Sequence, residues 1–166
     1  MSELVAYLTV LIAAAIPWLE VLLVVPAGII AGLPPVPTVV VAAIGNTATL
    51  VPLVLAGDRL RDWWRERRGS VAPVDRDAGD EPPGRSGRAR RLFDRFGLPG
   101  LAALGPLLTG IHVAAVVALA AGADRRAILV WLTAGVAVWS GLAAIATVIG
   151  LEALVDPDAL PDLGLS

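Results

Sequence analysis

The chain has 166 residues and a mass of 17.1 kDa, of which 57 % are hydrophobic and 17 % charged, with a mean hydropathy of +0.77; this is too apolar for a single water-soluble domain. Thirteen basic and fifteen acidic residues leave a formal charge of −2, a balance that argues against a nucleic-acid partner. The lack of cysteine removes disulfides, Cys-type zinc sites and thiol nucleophiles, and without a G-x-x-x-x-G-K-[ST] loop ATP is not expected as a direct energy source.

The amino terminus reads Met-Ser-Glu and then an apolar run, without the basic stretch of a cleaved secretory signal, so retention of this segment is expected. From Leu4 to Gly57 the only ionisable carboxylate is Glu20, and there is no Arg or Lys. Leu4 to Leu33 is interrupted by Pro17, Pro26, Gly28, Gly32, Pro34 and Pro35, a pattern one straight helix does not tolerate. It predicts a short first helix and then a broken, re-entrant hairpin at about residues 17–33. Val36 to Gly57 is uncharged for 22 residues, and at about 1.5 Å per residue such a helix covers the roughly 30 Å hydrocarbon core. A span over 36–57 therefore completes a first membrane repeat over 1–57.

Residues 58–95 hold eleven of the thirteen basic residues. The middle of this stretch, rich in Gly, Ser, Pro and Arg, predicts a linker without a core. Its flanks, with Leu60, Trp63 and Trp64 on one side and Leu92, Phe93 and Phe96 on the other, suit short interfacial helices. Trp63, Trp64, Arg90 and Arg91 are the membrane-surface residues of this reading, serving either as a topology signal or in anionic-lipid recognition. The second membrane repeat is expected over 96–151, with a hairpin at about 98–122 and a span at 127–151. An acidic tail follows over 152–166.

The halves align. Pro17 precedes Gly32 by 15 positions and Pro106 precedes Gly122 by 16, while Gly32 to Gly45 and Gly122 to Gly135 are both steps of 13. Paired Gly/Pro-interrupted segments point to inverted repeats whose broken elements meet near the bilayer midplane. Arg125 and Arg126 share a membrane face with the linker arginines only if 98–122 is re-entrant, the arrangement favoured by the positive-inside rule, with the linker cytoplasmic. The fold class is thus an all-α, multi-pass integral membrane protein built from an inverted repeat of a re-entrant broken hairpin plus a transmembrane helix. A plain four-span bundle is the alternative.

Glu20 is the outstanding position. Burying a charged carboxylate costs a few kcal/mol, and protonating a Glu of reference pKa about 4.3 at pH 7 costs about 3.7 kcal/mol. A carboxyl at that balance exchanges a proton when its surroundings change, or pairs with a cationic substrate; the alternative is a Glu that snorkels to the interface near Pro17 and Trp18. His112, the only histidine, is placed either as a proton relay or headgroup ligand, or as a packed histidine. Asn46 faces the bundle, as helix glue or a binding group, and Thr109 joins His112 in the second broken segment. Pro17, Pro26, Gly28, Gly32, Gly45, Pro106 and Gly110 form the hairpin gate and its packing. Trp139 and Ser140 line the same cavity or pack in the core. No residue pattern suggests an enzyme, a metal site or a cofactor.

The stretch Pro17-Trp-Leu-Glu20, Pro26-Ala-Gly28, Gly32-Leu-Pro34 and Gly45-Asn46 resembles the small multidrug export protein family of bacterial membrane proteins, which is distantly similar to the DedA-type, or VTT, superfamily. The second half is similar in Phe96-Gly97, Gly100-Leu101, Pro106 and Thr109-Gly110. The resemblance implies opposed re-entrant hairpins and residence in the bacterial cytoplasmic membrane. The chain departs from it at Leu22, where the family often has Arg, and in the reduced Leu108-Thr109-Gly110 segment. The expected function is a small proton-coupled transporter exporting a hydrophobic cation or amphipathic compound. The alternatives are a DedA-like flippase for a polyprenyl-phosphate or phospholipid and a non-transporting scaffold. Expected partners are membrane lipids, a small hydrophobic or lipid-like substrate, protons and a second copy in a homodimer.

Overall fold

The computed structural model describes residues 2–17, 19–57, 59 and 85–155. Trp18, Trp63, Trp64 and the acidic tail from residue 156 lie outside the described residues. Among the described residues six helices follow in order: α1 (Glu3–Ala15), α2 (Glu20–Ile30), α3 (Pro35–Leu55), α4 (Arg85–Leu108), α5 (Ile111–Ala120) and α6 (Arg125–Val155). The chain groups into two units, one of Met1–Asn46 with Ala137–Ser166 and the other of Thr47–Val136. The boundaries fall inside α3 and α6, so each long helix gives one half to each unit.

In the first unit α1 packs on α2, and between them the Leu19 N–H donates to the Ile16 carbonyl at 3.1 Å. The hairpin expected at about 17–33 is therefore drawn differently: residues 20–30 form a single helix that carries Pro26, and α1 supplies the other arm. One missing N–H does not break a helix whose neighbour covers it. In the second unit α4 bends at Gly97 (φ 63°, ψ −155°), which separates a basic arm, 85–96, from an apolar arm, 98–108. The apolar arm and α5 pack as a hairpin joined at Thr109-Gly110, within the expected 98–122.

The same local construction recurs ninety positions apart. Gly32 (φ 93°) and Gly122 (φ 81°) terminate α2 and α5. Around Gly32, the Gly32 N–H donates to the Ile29 carbonyl at 2.9 Å and the Leu33 N–H to the Gly28 carbonyl at 3.1 Å. Around Gly122, the Gly122 N–H donates to Leu119 and the Ala123 N–H to Ala118, both at 3.0 Å. Both are Schellman caps, which require a left-handed residue and so favour Gly. The next helix then starts three positions after the glycine in each case. Pro35, with no N–H to satisfy, opens α3, whereas Asp124 caps α6 by accepting the Ala127 N–H on Oδ1 at 2.9 Å.

Packing repeats too. Thr38, Ala42, Asn46, Leu50 and Val54 form a fully buried stripe along α3, and Ile128, Leu132, Val136, Ser140 and Ala144 form the corresponding stripe on α6. A Cβ placed on Gly45 would collide with the Leu11 carbonyl oxygen in the first unit; one on Gly135 would lie 2.6 Å from the Ala102 carbonyl oxygen in the second. Both glycines let a long helix rest directly on the backbone of a hairpin arm.

Among the described residues two helices are long and apolar enough to cross a membrane: α3, with 21 residues and a mean hydropathy of 1.9, and α6, with 31 residues and 2.0. They contain the expected spans 36–57 and 127–151 to within a turn. The hairpin arms are short. At about 1.5 Å per residue, α1 is roughly 20 Å long and α5 roughly 15 Å, less than the hydrocarbon thickness. Large apolar side chains, among them Ile12, Ile30, Val36, Ile44, Val130 and Ile145, are exposed on these helices, a surface suited to lipid rather than water.

Candidate functional site

Glu20 opens α2 with φ 35°, the only positive φ on a non-glycine residue among those described. Ninety positions on, Gly110 precedes α5 with φ 88°. Both hairpins therefore carry a positive-φ residue at the entry to their second helix, a glutamate as the first residue of α2 and a glycine just before α5. A left-handed non-glycine residue costs roughly 1–2 kcal/mol, and such outliers concentrate where function over-determines the structure. Glu20 is half-buried, and Pro17 lies exposed in the turn before it.

An apolar groove of about 320 Å³ runs along the α1–α2 hairpin, lined at one end by Leu19 and Leu23 and at the other by Ala31 and Leu33. Glu20 follows Leu19 in sequence and is not itself among the lining residues. Gly28 is buried at the crossing with α3; a Cβ there would approach the Thr38 methyl to 2.8 Å. Pro26 is half-buried on α2 and Gly32 forms the cap described above. Asn46 is fully buried on the α3 stripe, as is Ser140 on α6, while Trp139 is half-buried.

The second unit brings together His112 and Thr49, whose Nε2 and Oγ1 lie 3.0 Å apart. The His112 side chain is only 9 % exposed, and its Nδ1 has no hydrogen-bond partner among the described residues. A neutral imidazole offers one donor and one acceptor nitrogen, so the second nitrogen keeps its hydrogen-bonding capacity. Thr109, also buried, turns its hydroxyl to the Gly105 and Gly110 carbonyls, each at 3.3 Å, and so serves the turn. Pro106 is buried in the same arm. Thr49 was not singled out from sequence; its place one turn after Asn46 in an uncharged span is the signal that marks it.

Arg90 and Arg91 are exposed on the basic arm of α4, with Arg90 Nε bound to Asp94 Oδ2 at 3.1 Å.

Described residues that are helical apart from their turns, with two bilayer-length apolar helices and a surface of exposed aliphatic side chains, have the build of an integral membrane protein. The chain belongs to the family described as "Putative small multi-drug export protein", whose model matches residues 20–142. No curated protein and no solved structure matches it.

Proposed function

We propose that this protein is a proton-coupled exporter of hydrophobic cations in the bacterial cytoplasmic membrane, with Glu20 as the coupling carboxylate. The observation that carries the reading is a half-buried glutamate on a positive-φ position at the start of α2, next in sequence to the groove-lining Leu19 and the only acid between Leu4 and Gly57. The groove suits the apolar body of an amphipathic cation, and the carboxylate suits its charge or the proton exchanged for it. Export agrees with the family. In this reading the hairpins are re-entrant, because their arms are shorter than the membrane is thick, and the ninety-residue recurrence is that of an inverted repeat. The linker 58–95 then lies in the cytoplasm and the prolines and glycines of both hairpins act as hinges. Asn46 supports the hairpin from α3.

A second reading is favoured by the His112 Nδ1 at the start of α5: a DedA-like flippase in which that nitrogen and the helix N-terminus hold a lipid phosphate.

Proteoliposomes carrying a pH-sensitive dye distinguish these. Addition of an amphipathic cation such as tetraphenylphosphonium is expected to move protons with the wild-type protein and not with E20Q. Proton movement that persists in E20Q refutes the coupling role. Lipid translocation that needs no proton gradient and is lost in H112A supports the second reading. The absence of transport of either kind leaves a scaffold.

A further inference from the structure

We infer that the basic arm of α4 docks on anionic lipid headgroups and thereby fixes the entry of the second hairpin at the membrane surface. Arg88, Arg91 and Arg95 are all exposed and recur at i, i+3 and i+7, which puts them on one helical face. Arg90 lies off that face and is engaged by Asp94, the sole acid of the arm. The arm ends where charge ends: after Arg95 no Asp, Glu, Lys or Arg occurs until Asp124. Gly97 marks this boundary with a left-handed backbone (φ 63°) that turns the basic arm out of line with the apolar one. Beside it Phe96 is half exposed, with the Arg95 guanidinium 5.1 Å from its ring centroid.

An apolar arm seeks the hydrocarbon region, an arginine-bearing arm joined to it by one bent residue is held at headgroup depth, and an exposed aromatic at the junction suits that depth. Guanidinium groups there meet lipid phosphates in bidentate geometry and gain most from lipids with net negative charge. A membrane is favoured over an acidic protein partner because the arginine face is covalently continuous with the hairpin. The inference rests on the membrane placement of the hairpin and not on transport, so it stands or falls apart from the effect of E20Q.

The chain has no cysteine, so Ser86→Cys on the exposed start of the arm accepts a single nitroxide or fluorophore. The full-length labelled protein is reconstituted in nanodiscs of phosphatidylcholine alone or with 30–50 % phosphatidylglycerol (roughly the anionic content needed for a clear surface potential). Exposure to a water-soluble quencher is expected to fall severalfold in the anionic discs and to recover at high salt. The protection is lost in R88Q/R91Q/R95Q and kept in R88K/R91K/R95K, which preserves the charge. Equal exposure in the two lipid compositions overturns the inference, as does protection that survives the triple Gln change. An unaltered melting transition of the triple variant in detergent confirms that its fold is intact.

Discussion

Gly45→Ala and Gly135→Ala test the recurrence of the packing most directly, because the same substitution is unobstructed at other glycines of α6. In a helix interior Gly→Ala gains about 1 kcal/mol from propensity alone. Gly141 and Gly150 on α6 have no other atoms within 4 Å of a built Cβ, so alanine there collects that gain. At Gly45 the new methyl would meet the Leu11 carbonyl oxygen, and at Gly135 it would stand 2.6 Å from that of Ala102. The obstacle is backbone in both cases and cannot turn aside, so the long helix must move off the hairpin arm. Overpacking of this kind costs typically about 1–3 kcal/mol. The difference between G45A or G135A and G141A is then about 2–4 kcal/mol. At roughly 2–4 °C per kcal/mol for a chain of this length, it appears as a gap of several degrees or more. Thermal unfolding in detergent, followed by the emission of the five tryptophans, reads this gap. If G45A and G135A melt with G141A, the close approach of helix to backbone is not there. If only one of them falls, the two units are not built alike.

Two further predictions come from the hairpins. Glu20→Gly is expected to be more stable than Glu20→Ala by about 1 kcal/mol, because both remove the carboxylate and only glycine accepts φ 35° without strain; proton coupling is lost in both, and equal melting temperatures would sink the strain argument. The His112–Thr49 hydrogen bond is expected to show a coupling of about 1 kcal/mol in a T49V, H112L and double-mutant stability cycle, and simple additivity would deny the bond.

The two long apolar helices were legible because an uncharged run of more than twenty residues has few other uses, and a break within 98–122 because Pro and Gly crowd its first half, although the turn itself, at Thr109-Gly110, was not located. The first hairpin was read too narrowly. Pro26 looks like a break, yet within apolar packing it sits inside a helix, and the chain reverses earlier, between Ala15 and Glu20. The steps of 13 from Gly32 to Gly45 and from Gly122 to Gly135 were visible in the sequence. What they meet was not, since the carbonyls of Leu11 and Ala102 carry no side-chain signature. Nor does sequence pair His112 with Thr49 across 63 positions. The strain at Glu20 was equally hidden, because a backbone angle has no letter; only the matching Gly110 hints at it. Trp63 and Trp64 fall outside the described residues.

The division of each long helix between the units fixes an order of synthesis. The unit of Thr47–Val136 is one unbroken stretch and has all its residues once the first half of α6 has left the ribosome. The other unit joins the start of the chain to the second half of α6, so its α1–α2 hairpin must wait, with Gly45 already against Leu11, for a helix made last. A chain stopped after Val136 would therefore hold every residue of one unit and only the amino-terminal part of the other.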